Sequence, residues 1–364
     1  MSEGVRYHTG KFPPQNLDWD RLVPLLEPVA THITRFDGLL RAVPNPEVLL
    51  APLKTTEATA SCRIEGTVVT LPEVLAADSG EADPKKEEEI REVKNYRLAL
   101  KKAVELMTAP GRPLPLCGTV LKAAHAILLD GQTGVYKRPG EYRTGTVQIG
   151  DPARFWPIES EYLEGGMSQW EKYVNEDSAS RFIQLAVIHA EFESLHPFMD
   201  GNGRMGRMLV PLFLHSHGLL SSPTFYVSEY LEEHRQEYYD SLLAVSRDDD
   251  WTGWCEFFLK AMTAQGKRNE SRADSIISSY KEKKEIMRKD KAPGDDPTRA
   301  LDFFFENVEF NAKAFREESG MPDATANRLL KYCAEEKGWL ECTKEAKGRS
   351  PASYSFTELR ELIG

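Results

Sequence analysis

The chain has 364 residues, 41% of them hydrophobic, with 46 Lys and Arg against 57 Asp and Glu and a net charge of −11. That acidic balance argues against a protein whose main task is holding nucleic acid, and a chain of this length is expected to divide into two or three domains. No apolar run approaches the ~20 residues that span a bilayer. The opening MSEGVRYHTGKFPP lacks a basic region followed by an apolar run and is not read as a signal peptide. Five scattered cysteines, Cys62, Cys117, Cys255, Cys333 and Cys342, form no CxxC pair. They fit a reducing cytoplasm and no zinc site.

In chain order, residues 17–75 read as helical, from LDWDRLVPLLEPVATHITRFDGLL into a second segment starting at Pro46. AADSGEADPKKEEE (76–89) reads as an acidic loop running into a charged helix that continues through EIREVKNYRLALKKAVELM. Prolines at 109–115 break the chain again, and a short helix, LCGTVLKAAHAILLDG, follows. In RPGEYRTGTVQIG (138–150) polar and β-branched residues alternate about Thr-Gly, which predicts a short hairpin. Helical patterning returns from Glu159 to about Ala264, and RFIQLAVIHAEFESL (181–195) is apolar nearly all round, as a buried central helix would be. KEKKEIMRKDKAPGDDP (281–297) is charged and then rich in Pro and Gly, and is read as a linker.

Residues 298–364 predict a helix–turn–helix followed by a polar hairpin, the pattern of a winged helix, with Ala324, Leu329, Leu330 and Cys333 at packing spacings. Lys344, Lys347 and Arg349 gather on the expected wing. The segment nevertheless carries ten basic and twelve acidic residues, so a protein-docking or dimerising module is favoured over a DNA-binding one.

The densest chemistry lies in HPFMDGNGRMGR, His196–Arg207. Pro197 disfavours helix at His196, and Gly201 and Gly203 permit backbone conformations closed to other residues. A new helix then runs through RMGRMLVPLFLHSHG, with Gly218 as its stop. A glycine loop feeding a helix N-terminus is a ready anion site. Arg204 and Arg207, three apart, share one helix face and can grip one polyphosphate. Asn202 can donate to a phosphate oxygen. Asp200 offers a single carboxylate, and a phosphate-bridging Mg²⁺ takes one or two from the protein. His196, at the mouth of the loop, suits a general base. Phe198 is expected to plug the loop into the core.

HPFMDGNGRMGR matches the HPFxDGNGRxxR signature of the Fic family at every fixed position. The resemblance extends through PGEYRTGTVQIG, HAEFESLHPF and SEYLEEHRQEYYDSLLAVSRDDDWTGW, from about residue 20 to 265. It implies a mainly α fold: an N-terminal region over 1–108, a Fic helical core with a small β-hairpin flap over 109–280, a linker over 281–297, and a winged helix over 298–364. It also implies transfer of AMP from ATP, with Mg²⁺, to a Ser, Thr or Tyr hydroxyl of a protein target or of the chain itself.

On this sequence His196 would deprotonate the hydroxyl and Asp200 would hold Mg²⁺. Gly201, Asn202, Gly203, Arg204 and Arg207 would bind the phosphates. Arg143, Thr144, Gly145, Thr146, Val147, Gln148 and Ile149 would form the flap that docks a target segment, and Tyr238 and Tyr239 are candidates for the nucleoside wall. TEATASCRIEGT (56–67) also fits the family's inhibitory pattern [ST]xxxE[GN] at Ser61, Glu65 and Gly66. Ser61 and Glu65 share a helix face and Gly66 ends the helix, so Glu65 would pair with Arg207 and fill the γ-phosphate space. Two alternatives stay open. One is AMP removal or another Fic transfer. The other is a winged-helix regulator with a nucleotide-sensing core, for which DNA binding by 298–364 would speak. A homodimer is compatible with the sequence, and membrane partners are not expected.

Overall fold

Helix-forming residues with apolar spacings of three and four dominate the chain, and the fold follows them. The computed structural model describes residues 4–43, 45–131, 138–150, 152–348 and 350–363. The helices are α1 (Trp19–Arg41), α2 (Pro46–Leu49), α3 (Ala51–Ile64), α4 (Leu71–Asp78), α5 (Glu87–Met107), α6 (Gly118–Leu128), α7 (Leu163–Asn175), α8 (Arg181–Leu195), α9 (Asn202–Ser216), α10 (Ser228–Glu233), α11 (Arg235–Asp248), α12 (Trp251–Lys289), α13 (Thr298–Glu306), α14 (Ala312–Glu318), α15 (Asp323–Lys331) and α16 (Thr357–Ile363). The strands are short: β1 (Val5–Arg6), β2 (Phe155–Trp156), β3 (Glu309–Asn311), β4 (Leu340–Lys344) and β5 (Ser353–Phe356). Among the described residues no helix is long and apolar enough to cross a membrane.

The chain forms two compact units. The first takes the residues up to Asp37, then Ala60–Thr67 and Lys94–Arg268. Its centre is α8, buried nearly all round as its sequence demands, with Leu185, Val187, Ile188, Phe192 and Leu195 fully inaccessible. Ser180 caps its start by accepting from the Ile183 amide. Trp170 of α7 and Trp254 of α12 bury their rings beside it and donate to the carbonyls of Ile188 (2.8 Å) and Ala186 (2.7 Å), so both indole N–H groups are satisfied. Met205, Met208, Leu209, Leu212 and Phe213 bury α9, and Gly218, at φ +68°, follows its end. β1 pairs in parallel with β2, Val5 opposite Phe155. The expected hairpin over 138–150 does not form a ladder: the described segment is irregular and makes one bridge, Ile149 to Phe155. Its β-branched residues turn outward, while Arg143 is drawn inside by interactions described below.

The second unit comprises Gly38–Thr59, Val68–Val93 and the chain from Asn269 onward. α13, β3, α14, α15, β4 and β5 run helix–strand–helix–helix–strand–strand, with an antiparallel sheet in the order β3-β5-β4. Phe303, Phe304, Phe310 and Phe315 fill its core, the Phe304 and Phe315 rings 5.0 Å apart. From α15 it is Ala326, not the expected Ala324, that packs inward beside Leu329, Leu330 and Cys333; Ala324 is exposed. On the wing, Lys344 pairs with Glu81 at 3.0 Å, Lys347 is exposed, and Arg349 lies outside the described residues.

The expected linker needs correction. α12 continues to Lys289, so Lys281–Lys289 is helix and only the residues after it are irregular. Lys, Glu and Met are strong helix formers, and the run is amphipathic: Met287 is 1% and Lys283 3% exposed, the latter salt-bridged to Glu358 of α16.

Candidate active site

Every residue of the site belongs to the first unit. α8 ends where Pro197 forbids continuation, and His196 takes a left-handed conformation at φ +47°. Its Nδ1 faces the Glu193 carbonyl at 3.4 Å. A carbonyl can only accept, so the ring proton belongs on Nδ1 and Nε2 keeps its lone pair. Burial pushes the imidazole down to about 4, which leaves it neutral near pH 7 with Nε2 able to accept a proton.

The loop closes on itself. Phe198 is fully buried and stacks on His125 at 3.7 Å, as its expected plug role requires. Asn202 corrects the expectation of a phosphate donor: its Oδ1 accepts from the Phe198 amide and its Nδ2 donates to the Phe198 carbonyl, both at 2.8 Å. Two bonds to one residue make it a staple. Gly201, at φ +76°, begins α9, and Asp200 accepts from the Gly201 amide at 2.6 Å, its side chain 36% exposed. Arg204, 4% exposed, approaches Asp200 to 3.5 Å.

Two residues hold this loop from outside it. Arg143, placed by the resemblance in the docking flap, is 3% exposed and donates to the carbonyls of His196 (2.8 Å), Gly145 (3.0 Å), Leu195 (3.1 Å) and Ile158. A cation satisfying the last carbonyls of α8 caps that helix. Thr144, Gly145, Thr146 and Gln148 remain exposed, and Val147 and Ile149 are partly so. His125 escaped sequence reasoning, although a lone histidine in the apolar run KAAHAILL was a signal. It is fully buried, its Nδ1 accepting from the Gly140 amide at 2.9 Å. Nε2 must then carry the proton and donate to the Asp200 carbonyl at 2.9 Å. Burial pushes this ring down to about 4 as well.

Arg207 is the charge at the centre. It is 1% exposed and bonded to the end of α3. Nε donates to Ser61 Oγ at 2.9 Å, and Nη2 donates to Ser61 O at 2.8 Å and to Glu65 Oε1 at 2.7 Å. Glu65 lies over Gly203, where a Cβ would stand 2.2 Å from Glu65 Oε1 and would push the carboxylate from its present position. Burial alone would raise the Glu65 carboxyl; attraction and hydrogen bonding from Arg207 outweigh it and hold the group below the usual range. Gly66 follows at φ +103° and ends the segment, while Arg63 pairs with Glu232 at 2.9 Å.

A second carboxylate, also missed, acts on the same guanidinium. Glu193 lies over Gly206, whose Cβ would stand 2.1 Å from Glu193 Oε1. The spacings Gly203-x-x-Gly206 and Glu193-x-x-His196 carried that signal. Tyr238 is 1% exposed, its hydroxyl 2.9 Å from His189 Nε2 and its ring against Tyr239, Trp254 and Phe257. It is a core residue here, which corrects its candidacy for a nucleoside wall. Tyr239 is partly buried, with its hydroxyl 3.5 Å from the Ile64 carbonyl.

Comparison with known proteins identifies the family. Residues 23–105 match the N-terminal region of the Fic/DOC family and residues 115–214 the Fic/DOC family itself, together just over half of the chain. The chain belongs to the Fic family. Protein adenylyltransferase fic-1 of Caenorhabditis briggsae is 28% identical to this Fic protein over 145 residues, 36% of this chain and 27% of that one. A Fido domain-containing protein of Dictyostelium discoideum is 37% identical over 87 residues, 23% of this chain and 60% of that one. The Fic chain therefore spans less than two thirds of these relatives' lengths. A Fic family protein of Desulfovibrio desulfuricans shares the fold with TM-score 0.60 at 21% identity, over 94% of this chain and 98% of that one.

Proposed function

We propose that this Fic protein is an adenylyltransferase that moves AMP from ATP to a hydroxyl of a protein, and that the end of α3 holds it inactive. The observation that carries the reading is the pairing of a neutral His196, Nε2 unprotonated, with a buried Arg207 across a glycine loop and helix N-terminus. The names of its adenylyltransferase relatives support it. A target hydroxyl oxygen attacks the α-phosphorus of ATP, its proton passes to His196 Nε2, and the bond to the bridging oxygen breaks to release pyrophosphate. The main-chain amides at the start of α9, with Arg204 and Arg207, would neutralise phosphate charge, so catalysis is positioning plus electrostatics.

The chemistry of the donor set fits Mg²⁺ carried in with the phosphates. Asp200 supplies one partly exposed carboxylate, and such an ion takes few ligands from protein. Bound there, it would offset the charge on the phosphates. The exposed edge Thr144–Gln148 would receive a target segment, with Arg143 fixing its origin, and Tyr239 remains the candidate for the base. Glu65 occupies the partner position on Arg207 that a terminal phosphate would need. Glu65→Gly should raise ATP affinity and turnover by ~5–150-fold, the size of a 1–3 kcal/mol coupling. The test is transfer of label from α-labelled ATP, read by intact mass, in wild type, Glu65→Gly and Glu65→Gly/His196→Ala. An AMP adduct that appears with Glu65→Gly and vanishes without His196 is expected. Equal rates in wild type and Glu65→Gly would refute the inhibition, and an adduct that survives His196→Ala would refute the base.

A further inference from the structure

Two carboxylates act on Arg207, and each lies over a glycine of α9, Glu65 at Gly203 and Glu193 at Gly206. One belongs to Glu65, on a removable helix end. The other belongs to Glu193, on α8 itself, and its Oε1 is buried without a hydrogen-bond partner among the described residues. We propose that Glu193 is a proton-exchanging counter-ion for Arg207, protonated while another anion sits on the guanidinium and ionised when none does, so that triphosphate binding takes up a proton. The proposal rests on the adenylyltransferase reading for the identity of that anion.

With the end of α3 seated, Arg207 is 1% exposed, and a cation that loses Glu65 from such a setting is stabilised by a second carboxylate held beside it. The two carboxylates repel one another, and protonation of Glu193, the more enclosed acid, relieves that repulsion. Burial pushes the Glu193 carboxyl up to about 7; Arg207 and the Tyr238 hydroxyl pull it down, and Glu65 adds to the rise. The groups facing it are Arg207 on α9, Glu65 after α3, Tyr238 on α11 with His189 behind its hydroxyl, and the Nδ1 side of His196 against the Glu193 carbonyl. Withdrawing Glu65 removes one upward push, so Glu193 releases its proton to solvent and pairs with Arg207. A terminal phosphate arriving in place of Glu65 restores the push, and a solvent proton returns to the carboxylate. Glu193 touches no reacting atom in this scheme; it is a positioning residue for Arg207.

The experiment titrates full-length Glu65→Gly with MgATP in buffers of differing ionisation enthalpy between pH 6.5 and 8. The slope of observed heat against buffer enthalpy gives the protons taken up. Glu65→Gly should take up more protons than Glu65→Gly/Glu193→Gln, MgATP's own contribution being common to both. Its affinity should weaken as pH rises, by up to about tenfold per unit, while the Gln variant loses that dependence. Should the Gln variant fail to fold, Glu65→Gly/Tyr238→Phe keeps the acid and removes the hydroxyl that pulls its carboxyl down, moving the midpoint of uptake to higher pH. Equal proton uptake with Glu and Gln, or an unmoved midpoint in Tyr238→Phe, overturns the proposal. Absence of MgATP binding in every variant overturns the nucleotide reading beneath it.

Discussion

Replacing Ser61 with alanine separates the grip of α3 on Arg207 from the space that Glu65 fills. Ser61 Oγ accepts from Arg207 Nε at 2.9 Å, and that bond exists only while α3 is seated. A hydrogen bond to a charged group contributes about 1.5–3 kcal/mol. The loss is not made good by solvent in the seated state, because Arg207 is 1% exposed. Glu65, by contrast, keeps 38% of its side chain exposed, so its ion pair is discounted for screening. Ser61 then accounts for a share of the closure comparable to that of the acid. At about 1.4 kcal/mol per factor of ten, Ser61→Ala should shift the closed-to-open ratio by about 10–150-fold. The apparent ATP dissociation constant is the intrinsic one divided by the open fraction, so it should tighten in parallel until it reaches the value of Glu65→Gly. MgATP titration calorimetry and labelled-AMP incorporation on wild type, Ser61→Ala and Glu65→Gly measure this. Ser61→Ala binding ATP as weakly as wild type would refute the reasoning.

His125→Phe should keep the stack on Phe198 but leave the Gly140 amide and the Asp200 carbonyl unpaired, lowering stability by about 2–4 kcal/mol and weakening AMP incorporation in the Glu65→Gly background; an unchanged melting temperature would count against the bridge. His125 and His189 are fully buried, with pKa values pushed down by burial to about 4 and about 3. The unfolded chain, with histidines near 6.5, binds protons first, so stability is lost as pH falls below 6.5, by about 2 kcal/mol for each histidine at pH 5. Urea unfolding at pH 8 and pH 5 checks the sign, and equal stabilities would contradict it. In the second unit, Glu358→Ala should strip Lys283 of its carboxylate. The loss is about 1–3 kcal/mol, below the full cost of breaking a buried pair because Glu358 is 46% exposed. Denaturation of the variant without loss of stability would show that Ser279, 3.1 Å away, suffices for the lysine.

The central motif was legible because its chemistry is local. Pro197, two glycines and two arginines at fixed spacing dictate a loop and a helix start, and Glu65 against Arg207 followed from a helix-face argument plus family resemblance. What sequence could not give was which polar groups fold back on the chain. Asn202 looks like a phosphate donor until Phe198 takes both of its amide atoms, and Arg143 looks like a surface residue until four carbonyls converge on it. Tyr238 reads equally as a wall or as core, and only the packing of α11 decides. The run 281–289 was misread because charge alone does not separate a linker from the wet face of a long helix.

Arg143 has a consequence for manufacturing tolerance. Its guanidinium ties the origin of the exposed edge 144–148 to the last carbonyls of α8, the same helix end that sets the angle of His196. The rail that would guide an incoming segment and the base that would receive its proton are thus referenced to one datum. Displacing Arg143 would then disturb both together, the origin of the edge and the angle of the His196 ring.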